Sequence, residues 1–369
     1  MNQDNQPVEG IKKTPFLSKL SRWVRTHRAM SYGIIGAILI VITGTVALVI
    51  FNKQPVAQTI KSVTTAPKPK PAPIFYSPLT GIKVDTEAAT TQAVTAIMIE
   101  NSPDARPQSG LKDAGVVFEA VAEGGITRFL TLHQEDKPQI IGPVRSVRMY
   151  YVDWLAAFNA SVAHVGGSAA ALEEVRNGNY RDIDQFFNGG SYWRATDRYA
   201  PHNVYTSFAK LDTLNASKGY TTSKFTGFTR KDGKPADKPD ATSIAINISG
   251  PLYNTSYTYD KVNNRYNRNL AGAPHLDREG GQITPSVVID MNVDMSLVME
   301  DGYRESITTI GTGTAVIFQN GTAQKVTWTK KDRLSQITFT DDLGKDVPLN
   351  RGQTWISAVP NGTGSVSWQ

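Results

Sequence analysis

The sequence predicts an α/β domain followed by a mostly β domain, preceded by one transmembrane helix. Three observations carry that expectation. The run "SYGIIGAILIVITGTVALVIF", Ser31 to Phe51, holds no charge between Arg28 and Lys53. Between residues 74 and 225, short apolar runs bounded by Gly, Pro and Asn alternate with stretches of helical periodicity. After Ala241 the texture becomes alternating strands around Asn-rich and Asn-Gly turns. A chain of 369 residues has room for two such cores plus extra segments.

In chain order, residues 1–30 read as a basic cytoplasmic tail and 31–51 as a membrane helix. Roughly 20 apolar residues at 1.5 Å rise cross a hydrocarbon core of about 30 Å. "FNKQPVAQT" after the run is a poor cleavage site, so the helix is expected to stay as an anchor. Lys12, Lys13, Lys19, Arg22, Arg25 and Arg28 precede it, against Lys53 and Lys61 just after, which puts the N-terminus in the cytoplasm and the rest outside. The segment around Trp23 reads either as an amphipathic lead-in on the anionic inner surface or as a short solvated tail. Residues 52–73, "NKQPVAQTIKSVTTAPKPKPAP" and its neighbour, form a Pro/Lys-rich extended linker, whose roughly 20 residues at about 3 Å each reach up to about 60 Å.

Charge and cysteine content narrow the function. Of the formal +6, about +8 sits in the first 30 residues and the linker, leaving about −2 for the folded part. The basic pI therefore gives no sign of a nucleic-acid partner. The absence of cysteine removes disulfides, thiolate metal sites, a cysteine nucleophile and an N-terminal lipid-bearing cysteine. No cofactor motif is present: H-E-x-x-H, Walker, G-x-S-x-G and dinucleotide fingerprints are all missing, and no metal site is expected.

Within the α/β part, residues 74–225, "AVTAIMIEN", "AGVVFEAVAEGG", "TRFLTLHQ" and "QIIGP" read as strands. "SVRMYYVDWLAAFN" reads as a helix starting near Ser146, with Val147, Tyr150/Tyr151, Trp154/Leu155 and Phe158 on one face. "ASVAHV" is a strand, and "SAAALEEVRN" a helix with Ser168 as N-cap. A helix from about Ser207 to Lys218 closes at Gly219. Residues 226–240 read as the joint to the β-rich part, 241–369, where Asn320-Gly321 marks a hairpin.

Candidate site residues cluster at the strand-to-helix junctions. Arg145 and Arg148 in a helix's first turn meet the positive end of its dipole, so something anionic should compensate. A protein carboxylate, Glu119 or Glu123, would serve; so would an anionic ligand held by guanidinium forks and free N–H groups. Arg128 belongs with them. "HVGGSAAA" supplies a second junction in which Gly166, Gly167 and Ser168 could approach a ligand beside His164, if the two strands run parallel. The glycines also suit an ordinary tight turn. The loop "YWRATDRYAPHN" adds Arg194, Arg198, His202 and Asn203 among aromatics, a pattern suited to sugar or anion recognition and equally to a salt-bridged loop. As catalytic groups, Glu119 with Glu123 would form a carboxylate pair for glycoside hydrolysis, and His164 a base for Ser168.

Taken in order, "ARPQSGL", "AEGGITRF", "IGPVRSVR", "HVGGS", "WRATDRYAPHN" and "GQTWISAVP" resemble the YerB-type lipoprotein family of bacterial extracytoplasmic proteins, from about Tyr76 to Pro360. The resemblance implies an N-terminal and a C-terminal domain and no assigned activity. Family members often read Asn-His-Pro where this chain has Asn101-Ser102-Pro103, which counts against catalysis at position 102. They often carry a lipid-bearing cysteine, for which this chain has the apolar helix. In layout alone the chain is also similar to the LytR-CpsA-Psr envelope transferases, which would imply a polyprenyl pyrophosphate held by arginines; none of that family's full signatures is present. Three functions follow as expectations: an envelope protein binding an anionic lipid-linked or glycan ligand, an envelope glycan transferase or hydrolase, or a module that binds other envelope proteins.

Overall fold

A computed structural model of the chain describes residues 15–51, 73–178, 180–297 and 305–369. The first part of the expected tail, to residue 14, and the linker from 52 to 72 lie outside the described residues. Two compact units result, Met1–Pro71 and Ala72–Gln369.

The described residues of the first unit form two helices, α1 (Pro15–Thr26) and α2 (Arg28–Phe51). The apolar helix starts three residues earlier than expected, because nothing after His27 breaks it. Its 24 residues extend about 36 Å, enough to cross a bilayer.

The second unit is built on a ten-stranded mixed sheet. Its middle holds Thr354–Pro360, paired in parallel with both Val287–Val293 and Val116–Val121. From there Thr127–His133, Thr95–Glu100, Ser161–Ala163 and Arg181–Asp182 follow on one side. Gly311–Gln319, Thr322–Lys330 and Thr338–Thr340 follow on the other. The central strands are buried on both faces, as their continuous apolar composition requires. Alternate residues sort the core. Val116, Phe118 and Ala120 pack under α3 (Met149–Ala156) with Tyr151 and Trp154. Val117 faces the other way, with Ile97, Ile99, Trp355 and the α5 (Phe208–Ser217) residues Phe208 and Leu211. Further along that second face, Val288 and Phe318 meet Ile244, Ile246 and Tyr257 of a five-stranded sheet that includes Ser243–Asn247, Thr255–Asp260 and Arg265–Leu270.

The N-terminal half is mixed and the C-terminal half mostly β, as expected. Ser207 caps α5, its hydroxyl accepting from the Lys210 amide at 3.4 Å, and Gly219 follows at φ +77°. Ser168 stands at the N-cap of α4 (Ala169–Asn177). The Asn320-Gly321 turn joins the two nine-residue strands, both residues at positive φ, the geometry that matches the twist of a hairpin. A Cβ on Gly321 would lie 2.5 Å from Tyr259 Cε1. Gly321→Val is therefore expected to lose at least about 1 kcal/mol, read by urea unfolding; unchanged stability would mean that the turn is not held in this form.

Two expectations change. Helix α3 starts at Met149 with Arg148 as its N-cap residue, so Arg145 precedes the helix instead of lying in its first turn. "QIIGP" forms no strand; Ile141 and Gly142 make isolated bridges to Thr206 and Ser109. Residues 226–240, expected as the joint, are packed into the fold: Phe228 is buried against Phe158, and Arg230–Lys231 pairs in parallel with Leu349–Asn350.

Candidate functional site

The arginines of the junction meet two glutamates. Strand Val116–Val121 ends in a turn whose Gly124 and Gly125 adopt φ +63° and +74°, which swings Glu123 toward the start of α3. There Glu123 Oε2 accepts from Arg128 Nη2 at 3.1 Å, and Oε1 accepts from Arg148 Nε. Arg128 also donates to Ser146 O at 3.1 Å and Arg148 to Val147 O at 2.7 Å. Burial pushes the Glu123 carboxyl up, but the Arg148 hydrogen bond and the charges of Arg128 and Arg148 outweigh it and hold the group at about 2. Burial and the neighbouring Arg128 lower the Arg148 guanidinium. Glu123 thus fills the compensating role that the helix start demanded.

Glu100 ends strand Thr95–Glu100 and is 3% exposed. Its Oε1 lies 3.2 Å from Arg145 Nε and 3.1 Å from Ser102 Oγ; its Oε2 lies 3.0 Å from His202 Nδ1. Ser102 Oγ and His202 Nδ1 are 3.1 Å apart. The Arg145 backbone is stitched between two strand ends, its N–H donating to Met98 O and its carbonyl accepting from Val165 N. Arg145 and His202 stay partly exposed, at 28% and 21% of their side chains. Among the described residues Arg145 makes this ion pair and no side-chain hydrogen bond, while His202 Nε2 lies 4.0 Å from Asp104. Neither Glu100 nor Ser102 stood among the sequence candidates. The signal was a lone acid closing the apolar strand "TAIMIE".

The second junction does lie beside the first: Val147 and Gly167 form a parallel bridge. Its groups are nevertheless spent on the fold. A Cβ on Gly167 would meet Val147 Cγ1 at 2.8 Å, so close strand approach requires the glycine. Ser168 N donates to Val147 O, and Gly166 N faces Asp184 Oδ1 at 3.5 Å. His164 is fully buried, with Nδ1 2.8 Å from Gly166 O and Nε2 2.8 Å from Asp182 Oδ1. Both ring nitrogens face acceptors, which leaves no free base for Ser168. His164, Asp182 and Asp184 bring ligand atoms within 4.8 Å of one another, the kind of cluster that can hold a metal. Arg176 already occupies Asp184 at 2.6 Å, and a carbonyl faces Nδ1, so the donor set is committed to protein partners.

The carboxylate pair also separates. Ala120 stands opposite Arg128 in the sheet register, on the α3 face where Glu123 is bound. Glu119, one residue earlier, points to the other face, where Arg268 Nη2 donates to it at 2.8 Å, Trp355 Nε1 at 3.0 Å and Thr127 Oγ1 at 3.1 Å. Two carboxylates on opposite faces cannot flank one glycosidic bond.

In the 194–203 loop, Arg194 donates to Asn203 Oδ1 at 2.7 Å, and the Asn203 amide donates to Ala195 O and Arg198 O. Arg198 donates to Pro107 O and Asp104 O. Arg198 and Asn203 are loop pins, and only His202 reaches the Glu100 cluster. Arg194 also lines a cleft of about 460 Å³ with Trp193, Tyr205, Arg278 and Glu279.

Comparison with known proteins agrees with this architecture. Residues 79–221 match the N-terminal domain, and residues 244–356 the C-terminal domain, of the family described as protein of unknown function DUF3048. The protein named "Putative lipoprotein YerB" of Bacillus subtilis (strain 168) is 33% identical over 298 residues, covering 79% of this chain and 88% of the relative. The crystal structure of the YerB protein from Bacillus subtilis matches with a TM-score of 0.71 at 30% identity, over 79% of this chain and 99% of that one. With both domains matched in order and a relative of that identity covered over most of its length, the chain belongs to the DUF3048 family.

Proposed function

We propose that this protein is a single-pass, membrane-anchored envelope protein, N-terminus inside, whose second unit binds an anionic, glycan-like or lipid-linked ligand at Arg145 and His202. The carrying observation is the imbalance at the junction: three guanidiniums, Arg128, Arg145 and Arg148, against two carboxylates, Glu100 and Glu123. Arg128 and Arg148 are buried and share Glu123, so the surplus positive charge is theirs, while Arg145, paired with Glu100, is the guanidinium left partly exposed and without a side-chain hydrogen bond among the described residues. A guanidinium with open donors beside an imidazole suits a phosphate or carboxylate better than a neutral ligand.

The test is thermal melting of the full chain in detergent with pyrophosphate, prenyl phosphates and wall-glycan fragments. A ligand present at about 100 times its Kd should stabilise the wild type by about 2.7 kcal/mol. Arg145→Gln should lose that shift when each protein is compared with its own ligand-free melting point, which itself falls in the variant because the buried Glu100 loses its guanidinium partner. If no anion moves the wild type, the arginines serve the fold alone.

A second reading rests on the Glu100–His202 contact. The Ser102 hydroxyl on Nδ1, with the Glu100 charge beside it, orients the imidazole and leaves Nε2 for acid–base work, as in hydrolases and transferases. Under that reading His202→Gln abolishes turnover of an envelope glycan or prenyl-phosphate substrate that the wild type consumes.

A further inference from the structure

Helix α1 carries a feature that the ligand site does not use. At 100° per residue, Phe16, Leu20, Trp23 and Val24 fall within an arc of about 100°. Lys19, Arg22 and Arg25 fall on the remaining surface, and the helix contains no acidic residue. The apolar arc is uncovered: Phe16 is 73% exposed, Leu20 47%, Trp23 42% and Val24 40%. Apart from α2 and His27, no other described residue belongs to this unit, and among the described residues of the unit none covers the arc.

Charge and position identify the occupant. A second copy of α1 would cover the apolar arc but bring no negative charge to Lys19, Arg22 and Arg25. An anionic lipid surface supplies both things the helix lacks, acyl chains for the apolar arc and negative headgroups for Lys19, Arg22 and Arg25. The apolar helix α2 begins two residues after α1 ends, with His27 between, so a bilayer crossed by α2 puts its headgroup layer where α1 ends. Trp23 stacks on His27, ring centroids 5.3 Å apart, one turn before the apolar helix begins, and indoles favour the membrane–water interface.

We propose that α1 is an in-plane membrane helix that binds anionic phospholipid headgroups on the side of the bilayer where the N-terminus lies. This rests on α2 being the membrane anchor. It gives the protein a lipid preference that its anchor alone would not have.

The chain has no cysteine, so single-cysteine variants take one label each. Full-length Leu20→Cys, Thr26→Cys and Val41→Cys, each carrying an environment-sensitive fluorophore, are placed in nanodiscs of phosphatidylcholine with or without phosphatidylglycerol. Position 20 lies in the apolar arc and position 26 outside it. The expected result is quenching by acrylamide at position 20 that falls at least about threefold when phosphatidylglycerol is present, with little change at position 26. Exchanging Lys19, Arg22 and Arg25 for Gln in the Leu20→Cys chain should remove the protection. Equal quenching at position 20 in both lipids overturns the headgroup preference, and free quenching in both overturns the in-plane helix. Position 41 reads the anchor separately: protection there in all discs keeps α2 in the bilayer whatever α1 does, and exposure there would sink the anchor reading.

Discussion

Arg268→Ala should lower the unfolding free energy of the second unit by about 3–5 kcal/mol, a large share of the 5–15 kcal/mol typical of a folded domain. Arg268 and Glu119 are both fully buried, with Nη2 and Oε2 2.8 Å apart. The guanidinium also lies 4.2 Å from the centroid of the Trp355 ring. Deleting the arginine leaves a carboxylate in the interior with only the neutral donors Trp355 and Thr127. That uncompensated charge, more than the lost contact, sets the size of the effect. Glu119→Gln/Arg268→Met separates the two causes, because it buries no charge, its amide oxygen can accept from Trp355 and its amide N–H can donate to the Thr127 hydroxyl. Urea unfolding should place the double variant well above Arg268→Ala. If both lose the same amount, packing of the guanidinium on the aromatic rings is the cause. The pair joins strand Val116–Val121 to strand Arg265–Leu270, so a single unfolding transition is also expected for the two matched family segments.

Local signals carried the sequence reading a long way. The apolar run before Lys53, the Asn320-Gly321 turn and the Ser207 and Gly219 helix ends each depend on residues within a few positions of one another, and each is found in the fold. Partners far apart in the chain were harder. Nothing near Thr354–Pro360 announces that it will lie beside Val116–Val121, because register across more than 200 residues is set by packing. The arginine question shows the same limit. That Arg145 and Arg148 needed an anion followed from the helix dipole, and Glu123 was among the named carboxylates. Glu100 was not, since its partner His202 comes 102 residues later in a loop whose arginines pin their own backbone. Glu119 and Glu123, expected as a carboxylate pair, separate because the strand ends at Val121 and the turn with Gly124 and Gly125 carries Glu123 to the other face.

A second large effect should appear with pH, at Asp290. This residue lies mid-strand in Val287–Val293, fully buried on the face covered by the five-stranded sheet. Asn292 Nδ2 approaches its Oδ2 at 3.3 Å, and its Oδ1 has no hydrogen-bond partner among the described residues. Burial pushes its carboxyl up to about 7, against a weaker opposite pull from Asn292. An unfolded aspartate titrates near 3.8. Between these two values the unfolded chain has released the proton while the folded chain still holds it, so stability is fully present below about pH 4 and falls as pH rises to about 7. At about 1.4 kcal/mol per pH unit the loss is on the order of 4 kcal/mol. Asp290→Asn keeps the shape and cannot ionise. Urea unfolding of both proteins at pH 4.5, 6 and 7.5 isolates the effect, since every other titrating group is shared. The wild type should lose ground to the variant steadily up to about pH 7 and then run parallel to it. Parallel curves throughout would mean that Asp290 is already ionised in the fold, a state that needs a cation or donor on Oδ1.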